Sequence, residues 1–144
     1  MGVNSLTMTE IFLDTSYVIA LSSVKDHFHQ KALETAEKIQ AEKSKLITTR
    51  AVMLEIGNAL SGFKHRTAAV KLLNALESDP DVGIVSLTES LYSQGFSLFC
   101  KRQNKNWGLV DCISFVVMQE RKIFYALTAD EHFQQAGFRA MLRD

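Results

Sequence analysis

The chain has 144 residues, 47% of them hydrophobic, which is enough for one well-formed core and too few for two ordinary domains. Sixteen Lys and Arg offset sixteen Asp and Glu to a formal charge of zero, excluding the overall basicity by which many nucleic-acid binders hold their ligand and leaving local patches for that purpose. Two cysteines, Cys100 and Cys112, without CxxC spacing exclude a disulfide framework; with no signal peptide and no apolar run long enough to cross a membrane, a reduced, soluble, cytoplasmic protein is expected.

Residues 1–8 read as a loose lead-in, with Met8 a second candidate start, and residues 9–144 as one domain. There is no internal repeat or low-complexity tract, and the single proline, Pro80, marks no linker. The first β-like run is Glu10 to Leu13, and the next is Leu46 to Thr48. Thr49 is placed to cap a helix whose Val52, Met53, Ile56, Ala59, Leu60 and Phe63 fall on one arc, with Gly62 near its end. The same periodicity recurs over His65 to Leu76; a third strand is expected at Gly83 to Leu87, and Thr88 with Glu89 begins a helix running to about Lys101. Ile113 to Met118 is apolar almost all round, as a helix buried in the core would be; a fourth strand follows at Ile123 to Leu127 and a short helix at Glu131 to Gln135. Strands alternating with helices predict an α/β fold, a three-layer sandwich around a mainly parallel sheet.

Four acids adjoin this expected core. Asp14 ends the first strand in "IFLDTSYVIA", Glu55 lies beside the apolar arc in "AVMLEIGNAL", Asp111 precedes the buried helix in "WGLVDCISF", and Asp130 follows the fourth strand in "IFYALTADEHF". A carboxylate buried alone costs free energy, so each must cap, pair or hold a cation. Taken singly, Asp14, Asp111 and Asp130 all suit helix starts, by capping or by complementing the helix dipole. In a parallel sheet, however, the C-terminal strand ends share one edge, where ligands bind. Four carboxylates at one edge repel each other, and a divalent cation is the simplest resolution, with hard oxygen donors suited to Mg²⁺ or Mn²⁺.

Other chemistries lack their residues. No GxSxG, GxGxxG or GxxxxGK[ST] occurs, and His27, His29, His65 and His132 have neither an HExxH nor a paired-cysteine context, so each histidine is expected to be a surface side chain rather than a ligand. A receiver domain would need paired acids after the first strand, and a haloacid-dehalogenase-like phosphatase would need D-x-D where this chain has Asp14-Thr15-Ser16.

The stretches "FLDTSYVIAL", "LEIGNAL", "WGLVDCISFVVM" and "LTADEHFQQAGF", in this order, closely resemble the PIN-domain family and, within it, the VapC-like ribonuclease toxins of bacterial toxin–antitoxin pairs, from about Ile11 to Phe138. The resemblance implies about five strands and a Mg²⁺- or Mn²⁺-dependent endoribonuclease whose products carry a 5′-phosphate and a 3′-hydroxyl. It maps the family's acidic quartet onto Asp14, Glu55, Asp111 and Asp130. Asp14 and Asp111 would be the main metal ligands, Asp130 would help hold a metal, and Glu55 would orient or deprotonate the attacking water. Thr15 or Ser16, together with Thr128, match hydroxyl positions that support the site. Family members commonly carry W-S-L-T-D before the third acid; here Gly108 and Val110 replace both hydroxyls.

An RNA substrate would meet local basic groups, for which Arg50, Lys64, His65, Arg66, Lys101, Arg102 and Lys105 are the candidates. The family further implies a small antitoxin and a homodimer, for which the helices at Ala68 to Leu76 and Leu91 to Phe99 offer apolar surface. Two alternatives stand beside the toxin: a housekeeping PIN nuclease in RNA processing with no antitoxin, and a non-catalytic binding module that keeps the fold without its chemistry.

Overall fold

The computed structural model describes residues 9–144; the expected lead-in, residues 1–8, lies outside the described residues. Five strands form one sheet: β1 (Glu10–Leu13), β2 (Lys45–Thr49), β3 (Val82–Val85), β4 (Tyr125–Leu127) and β5 (Arg139–Ala140). Their order is β3-β2-β1-β4-β5, and every neighbouring pair is parallel, so the sheet is wholly rather than mainly parallel. The helices are α1 (Thr15–Ser22), α2 (His29–Glu42), α3 (Arg50–Ala59), α4 (Arg66–Ser78), α5 (Glu89–Lys101), α6 (Leu109–Arg121) and α7 (Glu131–Gln135). None among the described residues is long and apolar enough to cross a membrane.

The central strand is buried on both faces, as parallel strands between helices must be: Ile11, Phe12 and Leu13 are all buried. From β1 the chain builds outward through β2 to β3, then returns across to β4 on the other side. The direction of winding therefore reverses between β1 and β4, and the crevice at their C-terminal ends is where an open α/β sheet binds ligands. Register brings Leu13 opposite Leu127, and the Asp14 amide donates to the Leu127 carbonyl at 3.2 Å. Asp14 and Thr128 thus leave the sheet side by side.

Packing fixes the helices that frame this crevice. Trp107, Phe115 and Phe133 are buried and meet edge to face, with ring centroids 5.1 Å apart for Trp107 and Phe115 and 4.9 Å for Phe115 and Phe133. Trp107 Nε1 also donates to Gln135 Oε1 at 3.0 Å, tying the start of α6 to α7. On the other side of α6, α5 approaches so closely that a Cβ on Gly95 would lie 2.4 Å from Ile113 Cγ1 and 3.2 Å from its Cα, so only glycine fits there.

Several boundaries differ from the sequence expectation. Helix α3 stops at Ala59 with Leu60 as its cap, so Phe63 falls outside the helix and is 99% exposed; Ala59 is exposed on the helix itself, and the buried arc is Val52, Met53, Ile56 and Leu60. Strand β4 begins at Tyr125 because Ile123 is spent on the end of α6. There Lys122 is left-handed (φ 59°), its amide donates to Gln119, and the Ile123 amide donates to Met118 at 2.8 Å, a Schellman ending whose apolar residue resembles the start of a strand. Strand β3 is shifted to Val82–Val85 by its register with β2, leaving Ser86 and Leu87 exposed. Strand β5, two residues long, has no periodicity to read.

Candidate metal-dependent active site

Asp14 caps α1 from the end of β1 and is almost entirely buried, at 4% exposure. All of its side-chain hydrogen bonds among the described residues fall on Oδ2: Thr128 Oγ1 donates at 2.7 Å, Ser16 Oγ at 3.0 Å and the Ser16 amide at 3.4 Å. The two hydroxyls touch each other at 2.9 Å. They also accept from the following backbone, Ser16 Oγ from Ala129 N at 2.9 Å and Thr128 Oγ1 from Asp130 N at 3.0 Å, so β1 and β4 are stapled at the rim. Burial raises the Asp14 pKa to about 6 from an ordinary 3.8, against the Thr128 and Ser16 hydrogen bonds, which lower it, and with the Glu55 charge adding to the rise.

Asp111 lies in the first turn of α6 and Asp130 caps α7 through the His132 amide, 2.8 Å from Asp130 Oδ1. Asp111 Oδ2 accepts from the Gly108 amide at 3.1 Å. Glycine at the family's hydroxyl position therefore does not leave Asp111 unsupported, because the backbone supplies the donor. Burial raises the Asp111 pKa; the Gly108 and His132 hydrogen bonds oppose the rise, and the Asp130 and Asp14 charges add to it. The Asp130 and Asp14 charges both act on Asp111, which places those two aspartates within electrostatic reach of it. Glu55, half-buried on α3, accepts from Thr15 Oγ1 at 2.5 Å, so Thr15 serves Glu55 while Ser16 serves Asp14.

The expectation that every histidine is a surface side chain does not hold for two of them. His29 is half-buried, with Nδ1 2.7 Å from the Ala20 carbonyl. His132 Nδ1 lies 3.1 Å from Asp111 Oδ2 and 3.3 Å from Asp130 Oδ1. A search for zinc motifs passes over His132; the signal that could have found it is its place two residues after Asp130, in the first turn of α7, where the ring faces the same rim.

One pattern unites the acids. Asp14, Asp111 and Asp130 each have one oxygen tied by protein donors and a second, Asp14 Oδ1, Asp111 Oδ1 and Asp130 Oδ2, that accepts no hydrogen bond from any described residue. No Lys or Arg among the described residues pairs with any of the four acids; the ion pairs of Arg50, Arg121 and Arg139 lie elsewhere, with Glu77, Glu10 and Asp144. Three helix N-termini point their positive ends at the cluster, a partial compensation only. Oriented carboxylates with spare oxygens and no Lys or Arg partner are the donor set a hard divalent cation takes, so the residues present fit Mg²⁺ or Mn²⁺. One atom each from Asp111, Asp130 and His132 lies within 4.8 Å of the others.

Of the basic groups, Arg50 forks onto Glu77 and Arg66 onto the Ser61 carbonyl, whereas Arg102 lies 4.8 Å over the Trp107 ring, in the segment that leads to Asp111.

Known proteins share this architecture. The family model described as PIN domain matches residues 11–139. The 23S rRNA-specific endonuclease VapC20 of Mycobacterium tuberculosis, in strains CDC 1551 / Oshkosh and ATCC 25618 / H37Rv, is 30% identical over 129 residues, 89% of this chain and 95% of the relative. The crystal structure of M. tuberculosis VapC20, described as a sarcin-ricin loop cleaving toxin, superposes with a TM-score of 0.77 at 28% identity, over 89% of this chain and 95% of that one. With nearly the whole chain matched by the family model, and with a relative of this identity, the protein belongs to the PIN-domain family.

Proposed function

We propose that the protein is a Mg²⁺- or Mn²⁺-dependent endoribonuclease, and that residues 9–144 form its single nuclease domain. The observation that carries this reading is the rim of aspartates, each with one oxygen held and one free, at the switch point of the sheet. Asp14, Asp111 and Asp130 would hold the cation. A cation bound there supplies a lowered pKa for a coordinated water and a counter-charge for the phosphate. Glu55, steadied by Thr15, is placed to orient that water or take its proton. Thr128 and Ser16 favour the ionised form of Asp14 against its burial and hold it in one orientation, so that little is reorganised when substrate arrives.

The reading extends to a cytoplasmic toxin inhibited by a small antitoxin, supported by the likeness to VapC20 over nearly the whole chain. That relative's target makes ribosomal RNA the first substrate to test. Among the basic groups expected from the sequence, Arg102 is the candidate for a phosphate contact, stacked on Trp107 in the segment that leads to Asp111. A homodimer is supported by α5, whose Tyr92, Phe96 and Phe99 stack along an exposed face rather than entering the core. Induced expression tests the toxin reading: growth arrests with new 5′ ends in ribosomal RNA, neither occurs with Asp14→Asn, and a co-expressed small partner relieves the arrest. Harmless expression of a protein that cleaves RNA in vitro would instead favour the housekeeping nuclease.

A further inference from the structure

We propose that His132 is a positioning residue of this site: its Nδ1–H bonds Asp111 while its backbone amide bonds Asp130, and together they hold the free oxygens of both acids turned toward one cation. The inference rests on the metal-nuclease reading above and deepens it. Asp111 and Asp130 sit on different helices, at the starts of α6 and α7, and no backbone hydrogen bond between the described residues of those two turns sets their separation. Trp107 ties the two segments at Gln135, and His132 is the residue that bonds both acids. Nδ1 lies 3.1 Å from Asp111 Oδ2, which accepts, so this ring nitrogen carries the hydrogen; Asp130 Oδ1, 3.3 Å from the ring nitrogen, takes its hydrogen bond from the His132 amide.

Both contacts fall on oxygens already tied to backbone amides, Asp111 Oδ2 to Gly108 and Asp130 Oδ1 to His132 itself. His132 therefore completes the held side of each carboxylate, by its ring for Asp111 and by its amide for Asp130, and leaves Asp111 Oδ1 and Asp130 Oδ2 for the ion. This is the part that Ser16 and Thr128 play for Asp14. His132 is itself fixed, because Phe133 beside it is fully buried against Phe115. The ring thus relays the packing of the α6–α7 cluster to the carboxylates, and hydrogen-bonded supports of metal ligands typically change affinity or activity by about 10- to 100-fold when removed.

The test uses the full chain and Mn²⁺ alone, by calorimetry, with His132→Ala and His132→Asn. The asparagine amide nitrogen is attached to Cγ, as Nδ1 is, and keeps a donor in nearly the same place. The expected result is Mn²⁺ binding weakened by about 10- to 100-fold in His132→Ala and close to wild type in His132→Asn. Turnover of RNA should fall in the alanine variant with little change in KM, and the electron paramagnetic resonance of bound Mn²⁺ should show no directly coordinated histidine nitrogen in the wild type. Unchanged or tighter Mn²⁺ binding by His132→Ala overturns the proposal, as does an asparagine variant as weak as the alanine one, or a nitrogen coupling that makes His132 a ligand. If the wild type itself binds no Mn²⁺, the metal-nuclease reading falls, and this inference with it; wild-type binding beside an unaffected alanine variant removes the inference alone.

Discussion

The two sides of the acidic rim are built differently. On the sheet side, Asp14 is buried between β1 and β4 and held by two hydroxyls that also staple those strands. On the helix side, Asp111 and Asp130 are only half-buried, stand at the first turns of α6 and α7, and depend on backbone amides and one imidazole. The sheet side keeps a charge where desolvation opposes it most; the helix side leaves its charges nearer water and gains orientation from capping geometry. Charge stress and adjustable geometry are thus kept apart, and this contrast can be attacked at several points.

The largest effect is expected at Asp14. Asp14→Asn keeps acceptors for Thr128 and Ser16 but removes the charge, so cleavage should fall on the order of a thousandfold or more, a loss of several kcal/mol of transition-state stabilisation. Stability should move the other way. With a pKa of about 6 in the fold against 3.8 unfolded, the ionised Asp14 costs the metal-free protein about 3 kcal/mol at pH 7, which the asparagine relieves. Chemical denaturation of the two metal-free proteins at pH 7 measures this, and a less stable Asp14→Asn would remove the contrast.

The pH course follows from the same shift. Because the folded pKa lies above the unfolded one, the carboxyl is neutral in both states only well below the unfolded value, at about pH 2.5 and lower. As pH rises from about 4 to 6 the unfolded state ionises first, so the Asp14 contribution to metal-free stability should fall by about 3 kcal/mol and then level off. Subtracting the profile of Asp14→Asn isolates this step, and saturating Mn²⁺ should recover stability at pH 7.

Thr128→Val comes next. It removes the 2.7 Å donor and leaves Asp14 to Ser16 alone, costing about 1–3 kcal/mol at neutral pH and less once Asp14 is protonated. A loss equal at pH 4.5 and pH 7 would show a packing effect rather than support of the charge. The smallest effect belongs outside both halves: Arg50→Ala breaks an exposed pair with Glu77 and should leave the melting temperature essentially unchanged.

Much of this was legible in the sequence because acids adjoining apolar runs are conspicuous. The runs before Asp14 and Asp130 are β1 and β4, and the apolar stretch after Asp111 is the buried part of α6. Parallel pairing then brings the strand ends to one edge without further information. Less legible were features set by tertiary structure. Ile123 carries the hydropathy of a strand while ending a helix, and Phe63 continues the arc of α3 only if the helix continues, which it does not. Whether Thr15 or Ser16 supports Asp14 depends on side-chain direction, and Thr15 turns to Glu55 instead. His132 was obscured because its role depends on two carboxylates meeting from separate helices, a juxtaposition that no local spacing encodes.

The most direct measurement is cleavage of ribosomal RNA by the purified protein under metal titration, with Asp14→Asn alongside. A carboxylate-held cation predicts cleavage that needs Mn²⁺ or Mg²⁺, stops on chelation, returns when metal is restored and is absent from Asp14→Asn. Equal cleavage by both proteins, or cleavage that persists after chelation, would contradict it.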